Sequence, residues 1–183
     1  MSGVIGTRTL WVSAMLLFAV LIRPAAAQTA RWELSGAYDY TRDWTSDINF
    51  PVGWTAGSAY LINAWLSAAG EVGGSYETFP VSGDAVHLRL YTYLAGLKAR
   101  RTTGRFTEFG QLLAGAAHTS ATAFGITSAS THLAIQPGGG ADYALTTRLS
   151  ARVELDFRVV LGERQVDSQH HARFLAGIAY ALH

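Results

Sequence analysis

Charged side chains in this chain alternate with apolar ones at a spacing of two. In 149–160, Arg152, Glu154, Asp156 and Arg158 interleave with Ala151, Val153, Leu155, Phe157 and Val159. A period of two means a strand with two unlike faces, one able to hold ion pairs and the other an apolar layer. The same reading puts Glu33, Asp39, Glu71, His87, Arg89, Asp142 and Arg173 on the polar faces of other segments. Charges inside a narrow closed sheet must find partners, because an isolated charge is costly to desolvate. If Thr146-Thr147-Arg148 centre a turn, Asp142 lies opposite Arg152 and Gln136 opposite Arg158. Asp39 and Asp156 then flank Arg173. The expected arrangement is a polar network that fills the interior; the alternative use of the same charges is a polar pathway or a ligand site.

Other residues could do chemistry on their own. His118-Thr119-Ser120 sets a base near a hydroxyl, but no acid lies between Glu108 and Asp142 to orient the base. His132, His170 and His171 are expected on or near outer loops. Adjacent histidines on a strand point to opposite faces, and a metal site needs three or four converging ligands. Gly138-Gly139-Gly140 precedes no helix, so it is read as wall curvature and room for bulky interior neighbours rather than a phosphate cradle. Lys98, Arg100, Arg101 and Arg105 form a basic cluster on a predicted turn, solvated or touching anionic headgroups or peptidoglycan. No catalytic, cofactor or metal site is expected.

Eight strand-like segments carry these residues: about 31–41, 52–60, 65–76, 86–97, 106–118, 132–143, 149–160 and 170–182. In the fourth, Leu88, Leu90, Thr92 and Leu94 are assigned outward, and His87, Arg89, Tyr91 and Tyr93 inward. The fifth shows no clean alternation. Short turns are expected at 61–64, 98–105 and 144–148. Loops are expected at 42–51, 77–85, 119–131 and 161–169. An open edge would leave unpaired backbone groups, so eight such strands predict a closed barrel.

The ends and the composition set the compartment. Arg8, the apolar run Leu10 to Ile22 and Ala25-Ala26-Ala27 read as a cleavable signal peptide over 1–27. One domain, 28–183, remains. Without Arg8 and Arg23, 12 basic side chains face 13 acidic ones, a balance that argues against nucleic acid as a partner. With no cysteine there is no disulfide framework and no thiolate site. Trp32, Trp65, Phe106, Tyr143 and Tyr180 fall near one predicted rim, and Tyr40, Trp54 and Tyr76 near the other. Two aromatic girdles suit a lipid-facing wall. A soluble barrel has no reason to collect aromatics at both strand ends.

The chain resembles the small outer-membrane β-barrels of Gram-negative envelopes, OmpA/OmpX-like proteins with an outer membrane protein beta-barrel domain. The likeness rests on Gly53-Trp54, Trp65-Leu66, Gly73-Gly74-Ser75-Tyr76, Phe109 to His118, and Gln136 to Tyr143, and it covers nearly all of 31–183. It implies an eight-stranded antiparallel up-and-down transmembrane barrel and no shared catalytic motif. It also implies outer-membrane lipid as surroundings and insertion by the barrel-assembly machinery, which reads the last strand. Tyr180 and Leu182 keep the outward spacing of that signal, but His183 stands where such barrels end in an aromatic. The His118/Ser120 pair resembles that of lipid A deacylase barrels, except that Ala121 stands where those carry Asn. The expected function is therefore an integral outer-membrane protein without catalysis, with a structural, surface-interaction or narrow-pore role. The alternatives are a lipid-modifying enzyme of the outer membrane and a soluble secreted lipid-binding barrel.

Overall fold

A computed structural model describes residues 32–81, 84–162 and 168–182. The predicted signal peptide and His183 lie outside the described residues. The described chain is all-β: β1 (Trp32–Asp43), β2 (Ile48–Phe50), β3 (Val52–Leu61), β4 (Leu66–Val81), β5 (Asp84–Thr103), β6 (Phe106–Ala123), β7 (Ile126–Ala144), β8 (Leu149–Val160) and β9 (Gln169–Leu182). Each strand pairs antiparallel with the next along the chain, except that β1 pairs with both β2 and β3. β1 also pairs with β9, from Trp32↔Leu182 to Asp43↔His171, and so closes the barrel. β2 and β3 form one side of the first hairpin, broken at Pro51, which has no N–H to give a ladder. The barrel thus has eight staves and one short extra strand.

The stave facing β1 across the seam, β9, shows why the wall has two chemistries. Phe174, Ile178, Tyr180 and Leu182 are exposed, whereas His171, Arg173, Leu175 and Ala179 are buried. β8 does the same: Val153 and Leu155 are 51% and 65% exposed, with Arg152, Glu154, Asp156 and Arg158 buried between them. The apolar face is outside and the polar face inside, the reverse of a soluble core.

Several segments read as loops are strand. β4 runs to Val81 and β5 starts at Asp84, so little of 77–85 is loop. β6 and β7 extend through 119–131 and turn at Phe124-Gly125, both at positive φ, as a tight two-residue hairpin requires. Alternating Ser, Thr and Ala looked like loop composition, but Thr is β-branched and pairs well across strands: Thr122 Oγ1 lies 3.0 Å from Thr127 Oγ1. β5 likewise continues through the expected basic turn to Gly104, whose φ is +62°. The result is an uneven barrel. β5 has 20 residues and β1 has 12. Beyond Val52↔Tyr76 and Ala134↔Val160, the strand pairings among the described residues are those of β4 to β7, a four-stranded sheet that rises past the rest of the wall.

The facing of β5 is the reverse of the sequence expectation. Leu90, Thr92, Leu94 and Lys98 are buried inside, and Arg89 and Tyr93 face outward. His87 is exposed too. Leu90 and Leu94 pack with Leu113, Ala117, Ala134 and Val160 into an apolar cluster within the lumen. Tyrosine does not fix a face: its ring body suits an apolar wall and its hydroxyl a wet rim, so it fits outside as well as inside. Leu90→Ala should therefore cost about 2–5 kcal/mol, the range for truncating a packed leucine. Arg89→Ala should change stability by less than about 0.5 kcal/mol, as surface changes usually do. Urea unfolding of the refolded barrel in detergent measures both, and equal costs would refute the facing described here.

Candidate functional site: a paired polar lumen

The lumen holds two ion clusters. The one nearer the chain ends centres on Arg152, which pairs with Asp142 in the β7–β8 register. Its Nε donates to Asp142 Oδ1 at 2.7 Å and its Nη2 to Asp142 Oδ2 at 2.7 Å, a two-pronged contact that fixes the guanidinium plane. Nη2 also donates to Glu33 Oε1 at 2.6 Å from β1. Lys98 and Arg100 each approach Glu33 at 3.5 Å. Phe109 supports this concentration of positive charge: Lys98 Nζ lies 4.4 Å and Arg152 Cζ 4.7 Å from its ring centre. Lys98 and Arg100 are thus interior strand residues, not part of a solvated turn. Arg101 and Arg105 alone of that predicted basic cluster remain exposed.

The second cluster is built on Arg173, whose side chain has no exposed surface. It donates to Asp39 at 2.7 Å, Glu71 at 2.9 Å and Asp156 at 3.1 Å, and to Gln136 Oε1 and Thr55 Oγ1 at 2.8 Å each. Four strands therefore meet it with acids or amides. Arg158 donates from Nε to Gln136 Oε1 at 2.9 Å and sits 3.9 Å from Glu71. Gln136 links the cluster by donating to Glu71 at 3.2 Å and Asp156 at 3.1 Å. Gln111 Nε2 donates to Glu154 Oε1 and so ties it to the neighbouring strands. Carboxylate oxygens of Glu71, Glu154 and Asp156 converge within 4.8 Å of one another. Arg173 and the two glutamine amides supply the positive ends that this concentration of acid needs.

Small residues make the space. A side chain on Gly138 would collide with the Asp156 carboxylate, and one on Gly140 would meet Phe109 Cζ at 2.8 Å. These glycines admit bulky lumen neighbours. Between the two clusters lies a cavity of about 20 Å³, bordered by Glu33, Glu71, Lys98, Gln111, Arg152 and Glu154. That is room for about one water molecule.

The network thus joins Glu33, Asp39, Glu71, Asp142, Arg152, Glu154, Asp156, Arg158 and Arg173. Arg89 does not belong to it, because it points outward beside Tyr76. Sequence reasoning missed Lys98, Arg100, Asp43 and His171. Asp43 caps the turn at Thr45 N (2.8 Å), and His171 Nε2 lies 3.8 Å from its Oδ2. His171 is 2% exposed, so it is not a surface-loop residue, and its Nδ1 has no partner among the described residues. Counting inward parity along β5 from Leu90 through Lys98 to Arg100 would have found the two missed bases. His118, on the outward face, pairs through Nδ1 with Thr131 Oγ1 at 2.8 Å. Among the described residues no carboxylate joins it, and its β5 partner in register is Tyr91, not an acid.

The rings sit at the two ends of the outward wall. Trp32 packs tilted against Tyr60, and Phe106 against Tyr143, each with ring centres 5.0 Å apart at the end that holds both chain termini. Trp65 and Tyr180 are exposed at that same end. Towards the other end, Trp54 Nε1 donates to Tyr76 OH at 3.1 Å, and Tyr76 meets Tyr91 edge-on. Tyr40 donates to Asn49 at 3.1 Å. Tyr38, Tyr93 and Phe174 are further exposed rings that sequence reasoning did not assign to a girdle.

The sequence matches no protein-family model and no curated protein. Solved structures do match. Neisserial surface protein A aligns with a TM-score of 0.66 at 13% identity, over 82% of this chain and 96% of that one. Ail, the attachment invasion locus protein of Yersinia pestis, was solved in complex with the heparin analogue sucrose octasulfate. It aligns at 0.57 and 15% identity, over 82% and 96%. The N-terminal β-barrel domain of Pseudomonas aeruginosa OprF aligns at 0.50 and 16%, over 85% and 100%. The chain has the fold of the small eight-stranded transmembrane β-barrels of the outer membrane.

Removal of the Arg173 charge leaves three buried acids short of a partner. Arg173→Met should therefore cost about 3–5 kcal/mol, the usual loss when one side of a buried pair is deleted. Arg42→Met removes an exposed pair with Asp47 and should cost less than about 1 kcal/mol. Denaturant midpoints of the refolded variants give the comparison; an Arg173→Met midpoint as mild as that of Arg42→Met would show that the network does not hold the barrel.

Proposed function

We propose that this chain is a non-enzymatic integral protein of the bacterial outer membrane, exported with residues 1–27 removed. Its lumen is a plug, and its role is exercised at the cell surface. The observation that carries the reading is the inversion of the wall: Leu155 is exposed outside while Arg152, Arg158 and Arg173 are buried and paired inside. Such an outer face is stable only against hydrocarbon. A soluble lipid-binding barrel would need an apolar, open lumen. This one is ionic on one side, packed with leucine on the other, and leaves room for about one water between its clusters. The same packing disfavours a pore. An enzyme acting on membrane lipid would need a base, a nucleophile and an acid at one place; among the described residues no carboxylate pairs with His118 or Ser120.

The tall β4–β7 sheet supports a surface role. It lies at the end opposite the termini, so periplasmic termini put it outside the cell. It carries exposed Phe124 and Ile126 at its tip. Neisserial surface protein A and Ail share the barrel fold, and neither assigns a ligand to this surface.

Four measurements test the proposal. The mature protein should fractionate with the outer membrane and run as a heat-shifted band in gel electrophoresis. Because the chain lacks cysteine, Ile126→Cys can be labelled uniquely. A membrane-impermeant maleimide should label it on intact cells and leave Thr146→Cys unlabelled. Leu155→Arg should cost about 2–4 kcal/mol, the penalty for a cation on a lipid face near mid-membrane. In planar bilayers the protein should pass at most small ions; a large stable conductance, or recovery as a soluble periplasmic monomer, would overturn the reading.

A further inference from the structure

The outward wall has a trough in it. Across β4, β5 and β6, one row reads Leu66, Ala99 and Gly110, and the next row reads Ala68, Leu97 and Leu112. Ala99 and Gly110 lack the bulk of their neighbours. A cavity of about 650 Å³ opens over them, walled by Trp65, Leu66, Leu97 and Leu112. Leu97 and Leu112 are more than half exposed, so the walls stand proud of the sheet.

Two opposite charges close one end of this trough. Arg101 and Glu108 are cross-strand partners in the β5–β6 register, and both face outward. They form no ion pair with each other or with any other described residue. Directly opposed charges on one face normally attract; here the pair frames the apolar trough and stays open to a third party. The rings of Phe106 and Tyr143 flank them at the level of the girdle. That level is where headgroups meet the wall of a membrane barrel.

On the reading that this wall faces lipid, we propose that the trough binds one phospholipid of the leaflet nearest the chain termini, with a zwitterionic headgroup that carries a primary ammonium. An acyl chain lies over Ala99 and Gly110 between Leu97 and Leu112. Arg101 takes the phosphate and Glu108 takes the ammonium. A purely anionic headgroup would satisfy Arg101 but would bring no cation to meet Glu108. The exposed Arg105 at the adjacent turn adds to the phosphate side without cancelling Glu108.

The test uses the mature barrel in nanodiscs made from equal amounts of phosphatidylethanolamine and phosphatidylglycerol, followed by native mass spectrometry of the released protein. Wild type should keep one phosphatidylethanolamine in preference to phosphatidylglycerol. Glu108→Gln should lower that preference about fivefold, the order of one charge contact at a membrane surface. Arg101→Gln should reduce retention of both lipids, and Ala99→Trp should fill the trough and abolish it. The heat-shifted gel band checks that each variant is folded, and Glu108→Gln, an exposed change, tests the idea even if Ala99→Trp fails that check. Retention of the two lipids in their bulk ratio, or a preference untouched by Glu108→Gln, would overturn the site while leaving the membrane reading intact. Failure of the wild type to enter nanodiscs would instead overturn the membrane reading, and the lipid site with it.

Discussion

The structure depends on keeping charge inside a closed sheet without leaving any of it alone. Arg173 shows how. It draws Asp39 from β1, Glu71 from β4, Gln136 from β7 and Asp156 from β8 to one guanidinium. A barrel of eight strands has room for side chains and little else. Each of those strands must therefore sit in one register and at one tilt for the contacts to form. A slip of one strand by one residue would turn its interior charges into hydrocarbon and its lipid-facing side chains inward. The ion network does not need to add much net stability to have this effect, since buried pairs often only offset their own desolvation. What it does is make wrong registers costly.

The same constraint explains the uneven height of the wall. Around the β1–β3 and β8–β9 side the strands are short and their inward positions carry the ions. Along β5 to β7 the inward positions nearer the termini still join the ions through Lys98, Arg100, Gln136 and Asp142, but beyond them the lumen is filled by Leu90, Leu94, Leu113 and Ala117. An apolar half-core needs no partner geometry, so these strands are free to run on past the belt. Two-residue turns such as Phe124-Gly125 let them do so as continuous hairpins. Packing and surface display thus fall to the far end of the tall strands, and register to the ion clusters in which those same strands take part. Each strand serves the membrane on its outer face, whichever of these tasks its inner face performs.

Part of the fold and of the lumen was legible in the chain itself. The clean alternation in 149–160 and 170–182 determined which residues share a face, because the strand period is two whatever the sheet around it. A turn at Thr146-Thr147-Arg148 then determined that Asp142 would face Arg152, since a hairpin's register follows from its turn. Exposed rings at both strand ends, and charge on the opposite face, determined that the apolar side would be the outer one.

The rest belonged to tertiary structure. In β5 both faces hold large apolar or amphipathic side chains, so local pattern could not choose between Leu90 in and Tyr93 in. The choice came from Leu113 on the adjacent β6 and Ala134 on β7 beyond it, and from Glu33 across the barrel, which draws Lys98 and Arg100 inward. Arg89 turned outward by the same rule of two, three positions short of Thr92. The run 119–131 became strand because its partners continue beside it, although its composition alone reads as loop. Contacts among Arg173, Asp39, Glu71 and Gln136 span the lumen and join residues far apart in the chain. Periodicity says which way a side chain points, but only closure of the barrel decides what it meets there.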